Sequence, residues 1–174
     1  QMDSRADFTV TTEHENQWAV FPLTRLRPEQ VAGGIIQACS LTTIDANAHI
    51  LRQLGRYFSQ NEFIKRYGDL GEDEFGNQGG TITQRLLMLN GKLIDQRTKD
   101  NPFTNASTRI MMVTRDPARA VETGYLCVLS RLPTDKELKY FRDRLQASTG
   151  KDRSRSMEDL FWVLLNSTEF SWNH

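Results

Sequence analysis

The residue types best suited to ligate a metal or attack a substrate are few in this chain: three histidines, His14, His49 and His174, and two cysteines, Cys39 and Cys127. The histidines form neither a His-x-x-x-His pair nor a His-x-x-Glu-His motif, and the cysteines are too few and too far apart for a zinc cluster or a Cys-x-x-Cys redox site. There is also no Cys-x-x-Cys-His for covalent haem. For Cys39 and Cys127 a single disulfide and two buried free thiols both stay open, with the free thiols favoured. The glycine-rich stretch 68–80 has no Gly-Lys-Ser/Thr and follows no convincing strand, which argues against a phosphate cradle. Its Asp69, Glu72, Asp73 and Glu74 lack the alternating ligands of a calcium loop, so it reads as a solvated loop. No Gly-x-Ser-x-Gly elbow is present, and no two of the many carboxylates stand out as an acid–base pair.

Six other residues have side chains that could bind something: Gln84, Asn90, Arg131, Trp162, Asn166 and Glu169. Asn90 falls on the stripe of a predicted helix, where a buried amide needs partners because leaving it unsatisfied costs about 1–3 kcal/mol. Arg131, in the turn Ser130-Arg131-Leu132-Pro133-Thr134, is placed either to meet an anion at the next helix N-terminus or to pair with a helix end or a carboxylate. Trp162, Asn166, Glu169 and Phe170 lie away from the main apolar face of the last helix. That helix is therefore apolar on more than one side, a pattern that suits burial between two neighbours or contact with a partner.

The elements that position these residues are predicted to be almost all helical. Pro28 suits a first helical turn, and Val31, Ile35 and Cys39 follow at helical spacing over 28–41. Gly33 and Gly34 each cost about 1 kcal/mol there relative to alanine, which calls for a close approach by a neighbouring element. Asp45 and Ser59 are expected to cap two further helices, and Thr81 a third whose stripe is Leu86, Leu89, Leu93 and Ile94. A short helix spans 106–113. Asp116-Pro117 opens a helix to about 131, with Ala118, Val121, Tyr125, Val128, Leu129 and Leu132 on one face. Thr134 and Glu137 have capping-box spacing and start the next helix. The polar run 148–156 reads as a separator before a final helix over 157–170. Residues 7–21 carry no helical stripe and read as extended, with room for one short strand.

The fold class expected is thus mainly α: a compact multi-helix domain, orthogonal or bundle-like, over 22–174, with an extended arm or linker over 1–21. At 174 residues and 38% hydrophobic content, one core is affordable and two would be a squeeze. Basic and acidic residues balance at 22 each. Residues 1–104 hold 11 basic against 13 acidic side chains, and residues 105–174 hold 11 against 9. Neither half carries the footprint of a nucleic-acid binder. No run approaches the roughly 20 apolar residues that cross a bilayer, and the start lacks a signal-peptide layout. A start at Gln1 rather than Met reads as a piece cut from a longer polypeptide.

Three segments carry a family likeness: Thr83-Gln-Arg-Leu-Leu-Met-Leu-Asn90-Gly91, Tyr125-Leu-Cys-Val-Leu-Ser-Arg-Leu-Pro-Thr134 with Glu137-Leu138, and Glu158 through His174 with its Trp-x-x-Leu-Asn-Ser-x-Glu-Phe. Together with Pro22-Leu-Thr-Arg-Leu-Arg-Pro-Glu-Gln30 they resemble the carboxyl-terminal domain of unknown function in planctomycete-type cytochrome-associated proteins, over roughly 22–174. Thr83 departs from the Pro often found before the Gln. The resemblance implies an exported, extracytoplasmic protein in which this domain comes last, after a cytochrome-c-like domain and another uncharacterised one. Any haem would then belong to the upstream domains and no cofactor to this chain, and the resemblance carries over no catalytic residues. The function expected is a non-catalytic module that packs on upstream domains of the same polypeptide or recruits another exported protein. One alternative is an extracytoplasmic hydrolase acting on polymers, with Gln84, Asn90 or the acidic loop lining a cleft. Another is an electron-transfer accessory to the upstream haem domain.

Overall fold

A computed structural model describes residues 17, 25–41, 50–67, 82–101 and 103–172. Over these the chain is mainly helical, its helices pack on one another, and extended pairing is confined to isolated bridges at Arg25–Trp172 and Ser40–Asn105. The arm (Gln17 apart), the caps expected at Asp45 and Thr81, and the loop 68–80 lie outside the described residues.

Helix α1, Pro28–Cys39, has proline in its first turn and sinks Val31, Ala32, Ile35, Ile36 and Cys39 into the core. It stops short of residue 41 because the Ser40 hydroxyl turns back to the Ile36 carbonyl at 2.5 Å, while its own backbone is extended. The close approach expected at the glycine pair is made by an aromatic ring rather than by backbone: a Cβ on Gly34 would lie 3.2 Å from Phe170 Cζ.

Helix α2, Ile50–Tyr67, is continuous where two helices were expected. Ser59 lies in its interior, since a serine in a run without proline can be carried by the helix as well as cap one. The next expected helix is instead broken into α3, Ile82–Asn90, and α4, Lys92–Thr98. Gly91 between them is extended, and a Cβ there would stand 2.2 Å from the Leu87 carbonyl oxygen. The break separates the expected stripe. Leu93 and Ile94 stay buried, while Leu86 and Leu89 turn outward and Met88 takes the inner position.

Helix α5, Ala106–Val113, matches its expected span. Helix α6, Pro117–Leu129, is capped by Asp116, whose Oδ1 accepts from the Ala118 N–H at 3.0 Å. It ends earlier than residue 131 because Ser130 adopts a left-handed backbone, φ 56°. Val121, Tyr125 and Val128 of its expected stripe are buried, Ala118 and Leu129 are half-buried, and Leu132 is exposed.

Helix α7, Asp135–Ala147, starts on the capping box: Thr134 Oγ1 accepts the Glu137 N–H, and Glu137 Oε2 accepts the Thr134 N–H at 2.7 Å. Helix α8, Lys151–Leu165, begins well before residue 157. From residue 151 on, the polar run predicted as a separator is instead its first turns, which keep Lys151 and Arg155 exposed and tuck Ser156 against Ser148 at 2.9 Å. Helix α8 is the hub, packing on α4, α5, α6 and α7, with Met157, Leu160, Phe161 and Leu165 sealed from solvent. It does not run to residue 170. The chain breaks at Asn166 and restarts as the short α9, Thr168–Ser171, where the Ser167 hydroxyl caps the Phe170 N–H at 3.2 Å. The Leu26 N–H meets the Ser171 carbonyl at 3.0 Å and ties the start of the described fold to its end.

Candidate functional site

The most organised polar centre in the described structure is built around Arg131. The α6–α7 turn places its guanidinium between two carboxylates and over a ring. Nε and Nη2 donate to Glu169 Oε1 and Oε2 at 2.5 and 2.7 Å, and Nη1 and Nη2 donate to Glu137 Oε2 and Oε1, each at 3.1 Å. Nη1 also reaches the Leu132 carbonyl at 3.0 Å. The Arg131 Cζ stands 5.2 Å from the centroid of Tyr125, whose ring is 2% exposed. A guanidinium fork matched to two carboxylates in this way is a strong, directional pairing. Of the two uses that the sequence position of Arg131 allowed, the structure shows carboxylate pairing.

Electrostatics follow from that geometry. Hydrogen bonds from Arg131, reinforced by those from Thr134, hold the Glu137 carboxyl well down, at about 2. The same bonds, from Glu169 first and Glu137 second, push Arg131 further above its ordinary value. Burial, aided by the charge of Glu137, pushes the Tyr125 phenol up to about 12. A carboxylate held near 2 carries no proton at neutral pH, and a phenol near 12 gives none up. The cluster is a fastening that joins α6, α7 and α9.

Trp162 and Asn166 sit at helix ends. The Trp162 indole N–H donates to the Leu89 carbonyl at 3.2 Å, at the C-terminal end of α3, where carbonyls lack intrahelical partners. Asn166 Nδ2 donates to the Trp162 carbonyl at 2.9 Å, which also accepts the Asn166 backbone N–H at 3.1 Å, at the end of α8. Trp162 remains 37% exposed, and Leu86 and Leu89 of α3 and Val163 of α8 are exposed as well. Phe170, expected beside Trp162, is instead 8% exposed, because the break at Asn166 turns it inward onto Gly34. Asn90 is exposed on α3 and has no buried amide to satisfy. Gln84 lies in α3, with its side chain outside the described residues.

The buried amide belongs to Asn105, which sequence reasoning passed over. It is 1% exposed, and its Nδ2 donates to the Gln96 and Lys99 carbonyls at 2.9 and 2.7 Å while Oδ1 accepts from the Thr104 hydroxyl. It thereby locks the end of α4 to the start of α5. Its place immediately before a short helix was the only local signal. Cys39 and Cys127 are both free, but only Cys39 is buried, and burial pushes its thiol up to about 12; Cys127 is exposed. A small cleft of about 40 Å³ opens between α2, α3 and α4, lined by Phe63, Leu87 and Leu93 with Glu62, Arg66, Lys92 and Gln96 around them. It has room for a few waters. Among the described residues no three His, Cys, Asp or Glu side chains gather as metal ligands, and no helix is long and apolar enough to cross a membrane. The three histidines lie outside the described residues.

No protein-family model matches the chain. Neither the curated proteins nor the solved structures yield a similar one, so the likeness to the planctomycete-type domain rests on the sequence segments quoted for it.

Proposed function

We propose that this chain is a non-catalytic helical interaction module, the closing domain of a larger exported protein, which docks on upstream domains of the same polypeptide or on another exported protein. The observation that carries the reading is Trp162. A large aromatic ring stands at the surface with its one donor already engaged, held by the Leu89 carbonyl, and with Leu86 and Leu89 of α3 and Val163 of α8 exposed as well. A pre-oriented tryptophan with exposed aliphatic side chains on the two helices that it joins has the make-up of an interface hot spot, since little conformational entropy is lost when it is covered. The loss of Phe170 to the interior narrows this surface to the α3 end and the α8 flank. The export and the place at the end of a multidomain chain come from the resemblance.

The test is calorimetric titration of the purified chain with the segment that precedes it in its full polypeptide. Saturable binding is expected, with Trp162→Ala weakening it by about tenfold or more. Absence of binding, or equal affinity for Trp162→Ala, would remove the proposal's support.

A further inference from the structure

Five cations elsewhere in the described structure, Arg66, Lys99, Arg131, Arg142 and Arg144, are paired with carboxylates. One end of the molecule gathers basic side chains. Residues 109–119 and 151–155 hold six basic and two acidic side chains, a net +4 in a chain whose total is +0. Among the described residues none of those six basic groups lies within ion-pair distance of a carboxylate. The fold brings the two segments together. Helix α5 packs along α8, and Arg153 at the start of α8 donates from Nη2 to the Arg115 carbonyl at 2.9 Å. Arg109, Arg115 and Arg119 are exposed, and of the two acidic residues Asp116 is occupied as the cap of α6.

Two aliphatic side chains stand among these cations. Met112 is 63% and Val113 67% exposed. Both lie one helical turn from Arg109 on α5, so the three share a face.

We propose that this surface docks an acidic segment of a partner polypeptide, its carboxylates on Arg109, Arg115 and Arg119 and an apolar side chain against Met112 and Val113. Arginine forks match carboxylates two bonds at a time, and methionine adapts its shape to what covers it. A strand of nucleic acid is a poorer fit, because its bases stack on rings and the apolar anchors here are aliphatic. A bilayer is a poorer fit too, since two aliphatic side chains bury little of the apolar area that interfacial anchoring uses. The surface shares no residue with the Trp162 flank, so it stands or falls separately from the function proposed above.

The probe is a short fluorescein-labelled peptide in which glutamate pairs alternate with leucine, read by anisotropy against the whole chain at physiological salt. Saturable binding is expected. The double variant Arg115→Glu/Arg119→Glu should weaken it by at least about tenfold, and Met112→Ser/Val113→Ser by about fivefold. A peptide with serine for leucine should bind more weakly, and so should an oligothymidine and phosphatidylglycerol vesicles. Thermal melts by circular dichroism check that each variant is folded, with Lys151→Glu in reserve should the arginine pair melt early. Failure to saturate, insensitivity to both double variants, or tighter binding of the oligonucleotide or the vesicles would overturn the proposal.

Discussion

Glu137 serves two structures at once: it closes the capping box on Thr134, and it accepts two bonds from Arg131. Its carboxyl lies at about 2 in the folded chain, against 4.5 for a free one. Because the folded value is depressed, the stability it contributes is fully present above pH about 4.5 and is lost as the pH falls toward 2. Melting temperature should therefore fall over that window, and Glu137→Gln should show a shallower fall along with a lower plateau at neutral pH. A Glu137→Gln curve parallel to that of the unsubstituted chain would contradict the assignment. The local half of this arrangement was legible, since Thr134 and Glu137 have capping-box spacing. The Glu169 half was not: that partner lies 38 residues beyond Arg131, and only the tertiary fold brings it near. The same limit applies to the thiols. Sequence left a bridge open and placed both free thiols inside, whereas the structure buries Cys39 alone. Ellman's reagent should accordingly titrate one thiol in the native chain and two after unfolding. Two fast thiols, or none, would contradict this.

At the scale of elements, periodicity located α5, α6 and α7 well because each has one apolar face and clear punctuation. It failed where a helix continues through polar residues or breaks within apolar ones. The first turns of α8 are polar because they extend past the core, so composition alone made them look like a loop. The α3–α4 break comes from Gly91, where any side chain would strike the Leu87 carbonyl, and no hydrophobic pattern reports that contact. Two glycine substitutions separate these cases. Gly91→Ala should destabilise the fold by about 2 kcal/mol or more, through a backbone clash at a fixed joint. Gly55→Ala, within α2 and with nothing within 4 Å of the added methyl, should stabilise by about 0.5–1 kcal/mol. Urea denaturation of the two variants checks both. Equal and opposite shifts to these would mean that the joint and the helix have been misplaced.

For the described fold as a whole, closure depends on α9 returning to α1 and the residues just before it. Phe170 fills the space left by Gly34, and the Ser171 carbonyl accepts from the Leu26 N–H, so α1, α6, α8 and α9 share one core. Phe170→Ala should cost about 3 kcal/mol by opening a cavity there, which a denaturation midpoint would report. The mainly helical fold class was legible from apolar spacing alone. The break at Asn166 was not, and it separates an inward Phe170 from an outward Trp162 on what reads as one face. Local charge was equally hidden, since a net total of +0 conceals the basic end formed by α5 and α8. Trp162 is one of the apolar side chains that the fold leaves at the surface, and the proposed docking rests on it. The most direct measurement is hydrogen–deuterium exchange on the full polypeptide and on this chain alone. If the module docks through that flank, the amides at the end of α3 and around Trp162 should exchange more slowly in the full polypeptide than in the isolated chain. Equal exchange there, both in the full polypeptide and with candidate exported partners added, would contradict the account.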